Sequence, residues 1–340
     1  MKCIKSIKKN ANDIRKILLK NNHISRDYKL MTDEKYVYIP LIDEYDENLI
    51  DSIKTQYSFE VTNHNFTQSQ HRARNFIDYL DNKIDPEKIN DIVKSFDIIG
   101  DIVVVEIPDD LEDEKYNIAE AVLKFTKRRS VYAKKSKIQG IMRTRQFEYL
   151  AGEENLETIH KENGIRFKLD ISTVYFSPRL ATERERIVSQ VEDGEIIIDF
   201  FAGIGSFPIN IAHKKNATIY SVDINPEAYK YTKENIKLNK LKGEVIPINS
   251  DINKVIDTLP KADRILMNLP GTSKDFLDVA VNHLKKGGIL NYYEFAADYE
   301  TPINRVKKIA HPREIEVINK RKVKSQSPGI WHMAVDIKIN

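Results

Sequence analysis

A glycine pair, Gly203-Ile204-Gly205, lies between two acids, Asp199 and Asp223, and two further polar residues, Asp251 and Asn268, follow at the ends of later apolar runs. Glycines let a backbone come close to a ligand, and the amides of a helix that starts there favour anionic or carbonyl groups. Asp223, about twenty residues beyond Gly203, stands where a carboxylate that takes ribose hydroxyls is expected. Asp251, with the backbone at Ile252, suits the amino edge of an adenine. Pro208 occupies the place of the third glycine of the dinucleotide fingerprint, so no pyrophosphate site is prepared. A nucleoside with a charged tail, S-adenosylmethionine, therefore fits better than a dinucleotide. In Asn268-Leu269-Pro270 the amide can offer both a donor and an acceptor to a base edge, while the proline fixes the loop that follows. Each of these residues alone reads equally well as a strand-end turn. Their occurrence together at neighbouring strand ends favours the ligand reading.

The elements that must position them are strands. Ile196 to Ile198, Thr218 to Val222, Glu244 to Ile248 and Arg264 to Met267 are β-branched, apolar runs, each ending in one of these polar residues. Open α/β sheets bind ligands at that carboxyl edge. A helix from Phe276 to Leu284, a strand from Ile289 to Phe295, a helix from Asp298 to Ile309, and two strands, Ile315 to Val323 and Trp331 to Ile339, complete a sheet with an antiparallel hairpin at its edge. Upstream, Thr182-x-x-Glu185 reads as a capping box that opens a helix and places Glu183 in its first turn. There Glu183 either complements the helix dipole or points into the cleft.

The rest of the chain is read in three parts. Residues 1–60 form a small α+β unit with a helix from Ala11 to Asn22 and a strand at Tyr36 to Ile39; its lysines read best as a solvated face. Residues 61–94, including His71, Arg72 and Arg74, read as a linker with at most one helix. Residues 95–170 form a middle unit: a β-branched run from Ile98 to Ile107 broken at Gly100-Asp101 and a helix from Glu114 to Lys127; a short strand pair, Ile165 to Leu169 and Ser172 to Phe176, then feeds the sheet unit. Lys124, Lys127, Arg128, Arg129, Lys134, Lys135, Lys137, Arg143 and Arg145 fall in one stretch free of Asp and Glu. The absent acids favour phosphate binding over a merely solubilising surface. The sheet unit spans residues 171–340.

The chain has 340 residues, a net charge of +3 and one cysteine, Cys3. One cysteine leaves no internal disulfide and no multi-cysteine metal site, the histidines lack ligand spacing, and no metal is expected. No apolar run approaches bilayer length, and MKCIKSIKKNAN is too polar for a signal peptide, so a cytoplasmic protein without a membrane partner is expected.

Seven motifs carry a resemblance: RTRQFEYLAGE from Arg143, TIHKENG from Thr158, VYFSPRL followed by Glu183-Arg184, DFFAGIG, SVDINP around Asp223, NIKLNKL from Asn235, and Asn268-Leu269-Pro270. In combination they resemble the archaeal and eukaryotic tRNA (guanine-37, ring nitrogen 1) methyltransferase family. The resemblance implies a Rossmann-like class I α/β methyltransferase sheet preceded by two smaller α+β domains, the first checking the outer corner of the tRNA. It implies that a monomer methylates guanosine 37 with S-adenosylmethionine. Glu183 would take the proton from ring nitrogen 1, and Arg143 would stabilise charge on the 6-oxo group, since an amide-like nitrogen is a poor nucleophile until its proton leaves. Arg184, Asp199, Gly203, Gly205, Asp223, Ile224, Asp251, Ile252 and Asn268 would hold the cofactor; Arg143, Arg145, Tyr175, Asn268 and Pro270 would hold the target base. The rival readings are the aminocarboxypropyl transferase of the wyosine pathway, a silent tRNA-binding protein and, least, a nicotinamide dehydrogenase.

Overall fold

The computed structural model describes residues 1–25, 27–68, 73, 75–80, 83–85, 87–136 and 138–340; His71, Arg72, Arg74 and Lys137 lie outside the described residues. The chain divides into two compact units, Met1–Asn75 and Phe76–Asn340.

In the first unit, β1 (Lys2–Ile7), α1 (Lys8–Lys20), β2 (Met31–Thr32), β3 (Tyr36–Pro40), α2 (Glu47–Lys54) and β4 (Phe59–Asn63) build a four-stranded sheet of order β2-β3-β1-β4. Ile4 and Ile39 from the sheet meet Ile14 and Leu18 of α1 and Ile50 and Ile53 of α2 in one apolar core. The central strand, β1, escapes a sequence reading because KCIKSI alternates lysine with small or apolar residues over only six positions. Three of the lysines have partners: Lys2 bonds Tyr45, Lys5 pairs with Glu60 and Lys16 with Asp13.

The second unit opens within the stretch expected as a linker. Phe76, Leu80, Ile84 and Ile92 are buried in the same cluster as Val103, Val122 and Val131, so this segment is anchored by burial of apolar side chains. β5 (Asp97–Ile99), β6 (Ile102–Val105), α3 (Lys115–Thr126), β7 (Ser130–Lys134) and β8 (Phe147–Gly152) form a sheet of order β5-β6-β7-β8, and β9 (Glu157–Glu162) pairs with β10 (Ile165–Asp170) as a hairpin. Ile99, Ile102 and Tyr132 share one cluster with Phe167, Ile187 and Ile197, so the middle unit and the large sheet have a common core. Residues 172–176, expected as a strand, instead make a turn. Asp170 accepts from both the backbone and the hydroxyl of Ser172 at 2.8 and 2.6 Å, which bends the chain.

The large sheet follows: α4 (Ala181–Gln190), β11 (Ile196–Asp199), α5 (Ser206–Lys214), β12 (Thr218–Asp223), α6 (Pro226–Leu238), β13 (Glu244–Asn249), α7 (Ile252–Val255), β14 (Ala262–Met267), α8 (Leu277–His283), β15 (Leu284–Ala296), α9 (Glu300–Ala310), β16 (Ile315–Ser327) and β17 (Ile330–Ile339). Its order is β13-β12-β11-β14-β15-β17-β16, parallel from β13 to β15 and antiparallel at β17 and β16. Ile197 and Ile198 of the central strand point to opposite faces and both are buried, as a doubly covered parallel strand requires. The expected antiparallel hairpin closes the sheet. The expected capping box does not form: Leu180 is the residue before α4, no side chain caps it, and Thr182 already lies inside the helix.

Candidate active site

Between the carboxyl ends of β11, β12, β13 and β14 lies a cavity of about 590 Å³. The turn after β11 shapes its floor. Gly203 adopts φ +58°, and its amide donates to Oδ2 of Asp223 at 2.6 Å, while Oδ1 of Asp223 accepts from the amide of Asn225 at 2.8 Å. The Asp223 carboxylate thus holds the glycine turn and still keeps lone pairs for a hydroxyl. Burial raises its pKa, and the two amides and Arg143 act against that rise. Asp251 caps α7 by accepting from the amide of Asn253 at 2.9 Å, with Ile252 buried beside it. Ile224, Ala228, Phe201 and Phe276 supply apolar walls, and Asn268 presents a buried Oδ1 with no partner among the described residues.

A second cavity, about 520 Å³, is lined by Arg143, Arg145, Tyr175, Asn268, Pro270, Lys324, Gln326 and His332, with Leu180, Phe295 and Ile138. Arg143, Tyr175 and Asn268 line both cavities. Arg143 sits in the left-handed region at φ +55°, where an arginine is held only by its surroundings, and its guanidinium stacks 4.6 Å from the Tyr175 ring centre. The carbonyl of Pro270 accepts from the amide of Phe295 at 3.2 Å, which ties the Asn268 loop to β15. The first cavity is lined by three carboxylates, Asp223, Asp251 and Asp275. The second is lined by three cations, Arg143, Arg145 and Lys324, and by no carboxylate among the described residues.

Of the residues expected to hold the cofactor, Gly203, Asp223, Ile224, Asp251, Ile252 and Asn268 line the first cavity. Asp199, Gly205, Arg184 and Glu183 line neither cavity. Asp199 is buried, accepts from the amide of Phe201 at 3.1 Å, and burial pushes its pKa up to about 7. Gly205 serves packing: a Cβ there would stand 3.0 Å from side chains of Ile209 and Thr232, so its absence lets α5 approach α6. Arg184, expected at the cofactor, grips Glu162 through two bonds of 2.5 and 2.6 Å and donates to the carbonyl of Ser177, all inside the protein. Glu183 is 2% exposed. Its carboxylate accepts from Arg186 at 2.6 Å and from the Tyr293 hydroxyl at 2.7 Å, and Arg321 lies at 3.4 Å. Burial holds the Tyr293 phenol well above its ordinary pKa, so it remains a donor. The Tyr293 ring packs edge-on against His332, a wall residue of the second cavity, and Glu183 therefore lies one side chain behind that wall.

His332 was not visible as a site residue in the sequence. It is buried, neither ring nitrogen has a partner among the described residues, and burial, with Lys324 and Arg143 nearby, pushes its pKa down to about 3. Only its alternation with Trp331 and Met333 on a strand could have indicated an inward-facing polar group.

Three cations of the middle unit's basic run, Arg129, Lys134 and Lys135, are engaged by acids from outside it. Lys135 pairs with Glu112 and Glu148 at 2.9 and 2.8 Å, Lys134 with Asp97 and Glu106 at 3.5 and 3.7 Å, and Arg129 with Asp101 at 3.2 Å.

Comparison with known proteins gives the arrangement a family. Residues 158–318 match the TRM5/TYW2 methyltransferase domain, residues 76–155 the TYW2 N-terminal domain and residues 3–50 the tRNA methyltransferase 5 N-terminal domain. The tRNA (guanine(37)-N(1))-methyltransferase Trm5b of Methanocaldococcus jannaschii is 38% identical over 341 residues, 99% of this chain and 98% of its own. The chain belongs to the TRM5/TYW2 methyltransferase family. Another member, the tRNA(Phe) (4-demethylwyosine(37)-C(7)) aminocarboxypropyltransferase of the same organism, is 39% identical over 246 residues, 71% of this chain and 96% of its own. A solved complex of aTrm5 and tRNALeu, 36% identical and covering 99% of each chain, superposes with a TM-score of 0.78. The TRM5/TYW2 cofactor cavity fits S-adenosylmethionine by its donor set: a carboxylate at the end of β12, a second at β13, a glycine backbone with nothing closer than 3.6 Å to a hypothetical Cβ, and an unpartnered amide oxygen.

Proposed function

We propose that this chain is a cytoplasmic, monomeric enzyme that transfers a methyl group from S-adenosylmethionine to ring nitrogen 1 of guanosine 37 of tRNA. The observation that carries the reading is the pair of adjoining cavities of opposite charge that share Arg143, Tyr175 and Asn268. Bound in the carboxylate-lined cavity, S-adenosylmethionine supplies an electrophilic methyl on a positively charged sulfur. Asp223 takes the ribose hydroxyls, Asp251 and the backbone at Ile252 take the adenine edge, and the Gly203 turn admits the tail. The target base, turned out of its stack, enters the cation-lined cavity. There Arg143 stabilises charge that develops on the 6-oxo group, with Arg145 and Lys324 adding to the field. Glu183 accepts the proton of ring nitrogen 1 after its side chain turns from Arg186 and Tyr293 toward the cavity. Tyr175 and Pro270 bound the base. Arg184 supports the site from inside, by fixing the first turn of α4 to β9. The N-terminal unit, Met1–Asn75, recognises the tRNA far from the target base.

Full-length likeness to a guanosine-37 methyltransferase, including the N-terminal unit, supports this reading over aminocarboxypropyl transfer, where the matched relative spans 71% of the chain. The experiment uses unmodified tRNA transcripts with guanosine or adenosine at position 37 and S-adenosylmethionine labelled either in the methyl group or in the carboxyl carbon, followed by nucleoside digestion. Methyl label in 1-methylguanosine from the guanosine transcript alone is the expected result. Carboxyl label in RNA would replace the reading with arm transfer, and no label with a silent binder.

A further inference from the structure

The C-terminal hairpin carries a row of lysines that no carboxylate engages among the described residues. β16 is the outer strand of the large sheet. Lys320 and Lys322 are exposed on it, two residues apart and so on one side of the strand, and Lys324 follows after an irregularity in the pairing. Lys320 lies over the Tyr299 ring at 5.4 Å and Lys322 over the Trp331 ring at 4.5 Å. Among the described residues no ion pair engages these three lysines, whereas Arg321, facing inward between them, is taken by Glu183. No Asp or Glu occurs between Val317 and Trp331. Lys324 is at the same time part of the cation-lined cavity, so the row of lysines ends at the place where the target base enters.

Resting on the methyl-transfer reading, we infer that the exposed edge of β16 is a phosphate track for the RNA strand that flanks the extruded nucleotide. Lysines two residues apart on a strand are roughly 7 Å apart, a spacing of the same order as that between successive phosphates. Trp331 and Tyr299 orient the ammonium groups and supply aromatic surface near the backbone. Lysines on an edge strand also discourage pairing with other strands. That role alone would not require the row to run into the cavity, nor the exclusion of acids from it.

The test measures tRNA affinity of the full chain against salt concentration, for the unaltered protein, for the double variant Lys320→Gln/Lys322→Gln, and for Lys135→Gln as the control in the ion-paired run. Each released phosphate contact lowers the slope of log K against log salt by about 0.7 for a single strand. The double variant is expected to flatten the slope by about 1 to 1.5, with S-adenosylmethionine affinity unchanged, and the control to leave the slope as it is. An unchanged slope in the double variant overturns the inference, as does a change confined to the size of the protein in solution, which would assign the edge to a protein partner. If the unaltered protein binds no tRNA, the methyl-transfer reading itself fails, and the inference falls with it.

Discussion

The two cavities that meet at Arg143, Tyr175 and Asn268 are built from different materials. The first is made at strand ends: Asp223 closes β12, Asp251 and Asn268 follow β13 and β14, and the Gly203 turn follows β11. The second is made mostly from segments far apart in sequence, with Arg143 and Arg145 before β8, Leu180 before α4, and Lys324 and His332 from the terminal hairpin. Their charges are opposite, and the difference matches a transfer from a cationic donor to a base that becomes anionic. On the proposed reading the carboxylate side would hold the cation before reaction, and the cationic side would be worth most when the base has lost its proton.

The largest effect is expected on the cationic side. Glu183→Gln keeps the size of the side chain and can still accept from Tyr293, yet removes the proton acceptor; single-turnover methyl transfer should fall by roughly two to four orders of magnitude. Thermal unfolding measured beside it separates this from damage to the buried contacts with Arg186 and Arg321. A rate within tenfold of the parent would remove Glu183 from the chemistry. On the carboxylate side, Asp223→Asn should weaken S-adenosylmethionine binding by about ten- to a hundredfold in calorimetry while tRNA affinity stays put. A matching loss of tRNA affinity would mean that the two cavities do not act separately. Lys324→Gln should slow transfer severalfold with cofactor affinity unchanged, because it removes a peripheral part of the field.

The smallest effect is on stability. Asp199 has its pKa raised by burial to about 7, against an ordinary value near 4, so the native state binds more protons than the unfolded state between those values. Stability from this group is complete below about pH 4 and is lost as pH rises toward 7. Asp199→Asn should therefore flatten the decline in stability between pH 5 and 7, by an amount on the order of 3 kcal/mol. An unchanged pH profile would show that Asp199 is ionised in the native protein.

The contrast also separates what could be read in the sequence from what could not. The carboxylate cavity was legible because each of its polar residues ends an apolar run, and local pattern fixes both the strand and the residue at its end. The cationic cavity was legible only through motif resemblance, and its hairpin side, Lys324 and His332, was not seen at all. Nothing local in KVKSQSPGIWH tells which side chains fold back over a loop 180 residues earlier in the chain. The pairing of the basic run was hidden for the same reason. The run contains no acid, but Asp97, Asp101, Glu106, Glu112 and Glu148 reach it from neighbouring strands and turns. Arg184 shows the limit of carrying a role by motif: its position follows Glu183 as expected, yet its guanidinium is spent on Glu162.

The claim that the shared wall is where charge is balanced is tested most directly at Arg143. Single-turnover methyl transfer should be measured for the parent and for Arg143→Ala, with tRNA and S-adenosylmethionine both saturating and cofactor affinity measured separately. A fall of roughly two to four orders of magnitude in rate, with cofactor affinity within a few-fold of the parent, is the predicted result. A rate within tenfold of the parent, or equal losses of rate and cofactor affinity, would contradict it and make Arg143 a structural residue of the cavity wall.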